Sequence, residues 1–149
     1  MYTYYIGLGS NLGDTRQHLL QAVEQMNQRI GQVTALSSFY ETEPWGFDSP
    51  HLFCNAACCV KSGLTPFEML QATQQIEHDL GRTRKSVEGR YEDRVIDIDL
   101  LYCLDDAGQV MQIDSPLLCL PHPLIEQRLF VREPLREIWV EREQLKVIK

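Results

Sequence analysis

Residues 94 to 102 read Arg94-Val95-Ile96-Asp97-Ile98-Asp99-Leu100-Leu101-Tyr102. Apolar and β-branched residues dominate the run, and its two carboxylates recur with the two-residue period of a strand. Asp97 and Asp99 therefore share a face with Val95, while Ile96, Ile98 and Leu100 turn to the other face and are available to a core. With about 3.3 Å of rise per residue the two acidic Cα atoms lie roughly 6.5 to 7 Å apart, close enough to converge on hard cations. The competing reading is an edge strand with a solvated acidic face. The residues leading into the strand favour the cation. Arg82, Arg84, Lys85, Arg90 and Arg94 place five of the chain's 14 basic residues within 13 positions. Carboxylates fed by an arginine-rich loop suit a metal-bridged polyphosphate.

Around this stretch, 149 residues with 44% hydrophobic content are enough for one domain, drawn over 1–149, with a core of its own. A formal charge of -7 argues against a general nucleic-acid binder and makes the basic loop a local feature. Cys54, Cys58, Cys59, Cys103 and Cys119 are odd in number and form no C-x-x-C pair, so they read as buried thiols in a reducing cytosol, with metal binding a minor alternative. The start of the chain lacks a charged segment followed by a long apolar one, and no apolar run is long enough to span a bilayer. A soluble, cytoplasmic protein without membrane partners is expected.

In chain order, Tyr2 to Leu8 reads as a strand that runs into the turn-rich Gly9-Ser10-Asn11-Leu12-Gly13-Asp14. Glycines before a helix suggest a phosphate loop, but the lysine and spacing of a P-loop are missing, and a structural turn is the better reading. Asp14 and Gln17 cap a first helix that stops at Gly31. Val33 to Tyr40 predicts a second strand. The loop after it carries Thr42, Pro44, Trp45 and Phe47, aromatics that could cover a core edge or stack on a flat heterocycle. Leu52 to Lys61 predicts a third strand, with Phe53 and Asn55 on one face and Cys54, Ala56 and Cys58 on the other. A buried Asn55 amide must be satisfied by backbone or by a ligand with paired donors and acceptors. Thr65, Pro66 and Glu68 open a second helix with Leu70, Thr73, Ile76 and Leu80 inside, ending at Gly81. Gln71, Gln74, Gln75, Glu77 and His78 read as its solvated face. Beyond the acidic strand come a turn at Asp105 to Gly108, a short strand near Val110 to Ile113, the rigid Pro121-His122-Pro123, and a piecewise helical stretch from Leu124 to Arg136 in which Pro134 starts a last short turn.

Two strand-helix-strand halves of similar size predict an α+β fold. Its form is a ferredoxin-like antiparallel sheet, a βαββαβ core with both helices on one face, the other face open to ligands, and a C-terminal extension.

The chain resembles the 6-hydroxymethyl-7,8-dihydropterin pyrophosphokinase family of folate biosynthesis. The resemblance rests on Tyr5-Ile6-Gly7-Leu8-Gly9-Ser10-Asn11-Leu12-Gly13, Ser38-Phe39-Tyr40-Glu41-Thr42-Glu43-Pro44 with Asn55, Glu77 to Arg84, Arg94 to Asp99, and Pro121-His122-Pro123 through Arg128, in that order. It implies transfer of a whole diphosphate from ATP to the hydroxymethyl oxygen of the pterin, with AMP as the leaving product. Two Mg²⁺ ions would be held by Asp97 and Asp99, with Arg82 and Arg94 beside them as catalytic groups. Gln74, Glu77, Arg82, Arg84, Arg94, Ile98, His122 and Arg128 are implied on the ATP side. Thr42, Pro44, Trp45, Phe53, Asn55, Asp97 and Phe130 are implied on the pterin side. ATP and the reduced pterin would be the only partners, and a monomer is expected. Where many members have Gly-Pro-Arg, this chain has Glu92-Asp93-Arg94 after Tyr91, which alters the loop's backbone preferences and adds two negative charges. The loop from Arg82 to Asp93 is expected to close over bound nucleotide. A noncatalytic ligand-sensing module of the same fold is the alternative, and AMP formation separates the two.

Overall fold

The computed structural model describes residues 1–43, 51–81 and 95–140. The central strand β1 (Tyr2–Ser10) sends Tyr4, Ile6 and Leu8 into one core and Tyr5 into another. Gly7 and Gly9 share the parity of Tyr5, so at its C-terminal half β1 shows that second face without side chains. The turn that follows uses Gly13 at φ +70, and Asp14 then caps α1 (Thr15–Arg29) by accepting the Gln17 N–H at 3.2 Å. Gly31 ends the helix region where a Cβ would overlap the Lys61 carbonyl, so close backbone approach selects glycine there.

The single strand expected from Val33 to Tyr40 is two, β2 (Gln32–Leu36) and β3 (Tyr40–Thr42). Both pair with β4 (Phe53–Ser62), and Ser37 explains the break. Its hydroxyl accepts the Ala57 N–H at 2.9 Å while its own N–H donates to the Ala57 carbonyl at 2.8 Å. A side chain thus stands in for a backbone acceptor, and the ladder skips to Tyr40. The parity expected in β4 holds, because Cys54, Ala56, Cys58 and Val60 join the β1 core while Ala57 and Cys59 join the other.

The second helix, α2 (Pro66–Asp79), starts as its sequence prescribes: the Thr65 N–H and hydroxyl both donate to Glu68 Oε1, at 2.9 and 3.0 Å. Gly81 follows its end with φ +112. The acidic strand β5 begins at Asp97 rather than Arg94 and runs to Leu104, leaving Val95 and Ile96 as its approach. Five strands form one antiparallel sheet in the order β2, β4, β1, β5, with β3 also on β4.

Leu19, Ala22 and Met26 of α1 and Met69 and Ile76 of α2 pack on one face of this sheet, as expected. Each fully buried side chain of this size contributes about 1.5 to 3 kcal/mol. The other face is not wholly open. Past the turn at Asp105 to Gly108, Val110 makes an isolated bridge to Leu104, so the next strand, β6, is the two residues Ile113–Asp114, paired with β7 (Cys119–Leu120). A 3-10 turn (Ile125–Gln127) then leads to α3 (Leu129–Val140), which lays Leu135, Ile138 and Trp139 against Tyr5, Ala57, Cys59 and Leu101. Pro134 lies inside α3 instead of opening a last turn, and is buried. The apolar positions of α3 hold it on the sheet despite the hydrogen bond that proline cannot make. Four of the five free cysteines are buried and Cys119 is half-buried. Among the described residues no helix is long and apolar enough to cross a membrane.

Candidate active site

The part of this sheet face that lies beyond the α3 contacts is built row by row. Gly9 of β1 lies opposite Asn55 on one side and Asp97 on the other, and Gly7 lies opposite Ala57 and Asp99. Strands sit about 4.8 Å apart, so Asn55 and Asp97 flank a bare glycine across roughly 10 Å. A Cβ on Gly9 would come 3.1 Å from Asn55 Oδ1 and 3.7 Å from Phe53 Cδ1, and one on Gly7 would press on the Leu101 side chain at 3.5 Å. The two glycines therefore leave a strip without side chains between β4 and β5, buried at Gly9 and half-buried at Gly7, and this strip is the floor of the trough referred to below. The reading of Tyr2 to Leu8 as a strand gave Gly7 no role and put Gly9 in the following turn, whereas β1 runs on to Ser10, and glycine at alternate strand positions is a signal of close approach by another group.

On the β4 side, Asn55 is 4% exposed and donates from Nδ2 to Thr42 Oγ1 at 2.6 Å, while Phe53 beside it is also buried. On the β5 side, Asp97 and Asp99 are half-buried while Ile96, Ile98 and Leu100 are in the core, the alternation expected from sequence. With its side chain buried, Ile98 can meet a ligand only through its backbone.

Glu77 departs from the solvated-face reading of α2. It is 2% exposed, and its Oε2 accepts the Ile98 N–H at 2.6 Å. The helical stripe is rotated so that Met69, Thr73, Ile76 and Glu77 face inward while Leu70 and Leu80 are only partly covered. Gln74 is exposed, one turn before Glu77.

A bulge between Tyr5 and Ile6 of β1 leaves Leu101 out of the ladder, and its carbonyl accepts the His122 N–H at 2.9 Å. His122 follows the cis Leu120-Pro121 bond, and its Nδ1 accepts the Leu124 N–H at 3.2 Å. Neutral His122 then carries its proton on Nε2, a donor. Arg128 is buried, with its guanidinium 5.8 Å from the Phe130 ring centre. Pro44, Trp45, Arg82, Arg84 and Arg94, with the Tyr91-Glu92-Asp93 departure and the expected closure of the 82–93 loop, lie outside the described residues.

Two carboxylates on one strand face, without a further His, Cys, Asp or Glu cluster among the described residues, make an incomplete protein cage. That donor set fits Mg²⁺, which binds through one or two carboxylates and takes its remaining ligands from phosphate and water.

An antiparallel sheet with α1 and α2 on one face and α3 across part of the other defines a protein of the α+β class, with a polar trough over glycines as its candidate site. The sequence matches, over residues 5–140, the family described as 7,8-dihydro-6-hydroxymethylpterin-pyrophosphokinase, and the chain belongs to that family. A relative from Porphyromonas gingivalis named 2-amino-4-hydroxy-6-hydroxymethyldihydropteridine pyrophosphokinase is 49% identical over 138 residues, covering 93% of this chain and 91% of the relative. A protein of the same name from Bacillus subtilis is 44% identical, covering 90% of this chain and 76% of its own length. Among solved structures, an HPPK-DHPS in complex with substrates superposes with a TM-score of 0.68 at 13% identity, over 93% of this chain and 42% of that one, a likeness of fold. The chain spans about two fifths of that longer protein.

Proposed function

We propose that the chain transfers the diphosphate group of ATP to the hydroxymethyl oxygen of 6-hydroxymethyl-7,8-dihydropterin, giving the pterin diphosphate and AMP in folate biosynthesis. The observation that carries the reading is the row across Gly9, where an amide on β4 faces a carboxylate of an acidic pair on β5. An amide reads the edge of a pterin and paired carboxylates hold the cations of a polyphosphate, so the two substrates are brought end to end. Family membership and the names of the relatives point the same way.

In this reading Thr42, Phe53, Asn55 and Phe130, with Pro44 and Trp45, bind the pterin. Thr42 fixes the amide so that Asn55 Oδ1 accepts from the ring edge. Asp97 and Asp99 would hold two Mg²⁺ ions, which supply charge neutralisation at the triphosphate. Gln74, Ile98, His122 and Arg128, with Arg82, Arg84 and Arg94, serve the nucleotide, while Glu77, implied on the ATP side by the resemblance, is buried and reaches this side of the site only through the Ile98 amide. The hydroxymethyl oxygen attacks the β-phosphorus and gives its proton to solvent water, and the bond from that phosphorus to the α,β-bridging oxygen breaks to release AMP. Nε2 of His122 and the guanidinium groups stabilise the charge that builds on phosphoryl oxygens, and alignment of the two ends supplies the rest. The chain works as one domain over 1–149. Its sheet order supports a ferredoxin-like core, with strands one to four of the βαββαβ pattern being β1, β2 with β3, β4 and β5, followed by a C-terminal extension. Incubation with ATP, Mg²⁺ and the reduced pterin tests the proposal. AMP and pterin diphosphate in equal amounts support it, and their absence with folded protein overturns it.

A further inference from the structure

We propose that Glu77 is a positioning residue for the cation site, its buried carboxylate gripping the Ile98 amide and thereby setting the spacing and aim of Asp97 and Asp99. The inference rests on the cation reading of these two aspartates. Ile98 is the one residue between them, and among the described residues β5 has β1 as its only strand neighbour in the sheet. Ile98 sits opposite Leu8 of β1, yet its N–H donates to Glu77 of α2 and so is directed to the outer edge, as amides alternate between the two edges of a strand. An amide buried there without a strand beyond it needs an acceptor from elsewhere. α2 supplies it, with Glu77 Oε2 at 2.6 Å, a short bond to a charged acceptor.

The alternatives for Glu77 are weaker on this geometry. At 2% exposure its carboxylate cannot meet an incoming nucleotide without moving, and as a solvated-face residue it would not be buried at all. A packing role alone would be served better by leucine, since burying a carboxylate costs far more than burying an apolar group. Placing the charge under the residue that joins two cation ligands makes sense if the strand's position there matters more than that cost. Partners one step removed from a metal ordinarily orient its ligands, and their loss weakens metal binding about 10- to 100-fold.

The test uses the full chain with Glu77→Leu and Glu77→Gln. Mn²⁺ binding is titrated by the loss of its free electron paramagnetic resonance signal in the presence of a nonhydrolysable ATP analogue, and the Ile98 amide is followed by NMR and hydrogen exchange. Analogue binding is also measured in EDTA. Glu77→Leu is expected to weaken Mn²⁺ by about 10- to 100-fold, to strip exchange protection from Ile98, and to leave metal-free analogue binding unchanged. Glu77→Gln, which keeps an acceptor of the same reach, is expected to recover most of the Mn²⁺ affinity and the protection. Unchanged Mn²⁺ affinity in Glu77→Leu overturns the proposal, and so does an equal loss of metal-free analogue binding, which would place Glu77 on the nucleotide itself. If Glu77→Leu does not fold, Glu77→Gln decides: a protected Ile98 amide with Mn²⁺ affinity lost tenfold or more would mean that charge and not position matters. Wild-type protein that binds Mn²⁺ in this Glu77-dependent way yet forms no AMP would sink the proposed reaction and leave the positioning role standing.

Discussion

Asn55 Nδ2 lies 2.6 Å from Thr42 Oγ1, so the amide is held in one orientation with its oxygen toward Gly9. Thr42 and Asn55 come from neighbouring strands that pair directly, Thr42 opposite Phe53 and Tyr40 opposite Asn55. Replacing Asn55 with alanine should weaken pterin binding by about 1 to 3 kcal/mol, because a buried ligand edge is left without its partner. Titration calorimetry against the pterin measures this. Unchanged affinity with lowered thermal stability would make the amide a structural strut.

Asp97→Ala and Asp99→Ala should each lower turnover about a thousandfold or more, equivalent to ~4 kcal/mol of barrier, while leaving the circular dichroism spectrum intact. Both side chains are half-buried on the trough face and neither belongs to the apolar clusters. Near-normal AMP formation at saturating Mg²⁺ in either variant would remove the pair from the reaction.

The elements that sequence made legible are those set by local rules. The capping box at Thr65 and Glu68, the helix stop at Gly81 and the alternation of Ile96, Ile98 and Leu100 against Asp97 and Asp99 all follow from spacing within a few residues. What stayed hidden depends on partners far along the chain. The Ser37 hydroxyl breaks a strand because Ala57 lies across from it, Glu77 is drawn inward because Ile98 has an edge amide, and α3 closes part of a face because Tyr5 and Leu101 await cover. No local pattern separates Glu77 from Gln74 or Gln75 on α2. The glycine floor was visible only as one strand residue, Gly7, and one turn residue, Gly9, since its meaning comes from the Asn55 and Asp97 that flank it.

That floor gives a sharper test than removal of a side chain. In Gly9→Ala the new methyl would stand 3.1 Å from Asn55 Oδ1, inside ordinary contact, so the amide must shift by a few tenths of an ångström. Overpacking of this kind costs about 1 to 3 kcal/mol, and it falls on the pterin edge of the trough. Pterin affinity should drop and affinity for the ATP analogue should not. Equal loss for both ligands would show that the trough does not divide between the substrates in this way.

The last prediction concerns pH and the staple between α3 and the start of β3. Glu137 accepts the Ser38 N–H at 2.8 Å, the Ser38 hydroxyl at 3.0 Å and the Tyr40 phenol at 2.7 Å. Its burial alone would raise the carboxyl pKa, but the donors from Ser38 and Tyr40 outweigh it and hold the pKa below the ordinary glutamate range. A depressed folded-state pKa contributes stability that is present above the unfolded value, about 4.3, and is lost as pH falls through the folded value. Glu137→Gln should therefore lower the melting temperature near pH 7 by roughly 4 °C, taking ~1 kcal/mol for a solvent-screened set of bonds. It should also flatten the acid limb, so that the two proteins converge as pH falls through the lowered folded-state value. Thermal melts across that range make the comparison. Curves that stay parallel down to the acid end would mean that Glu137 titrates alike in the folded and unfolded chain, and that its three bonds do not anchor β3 to α3.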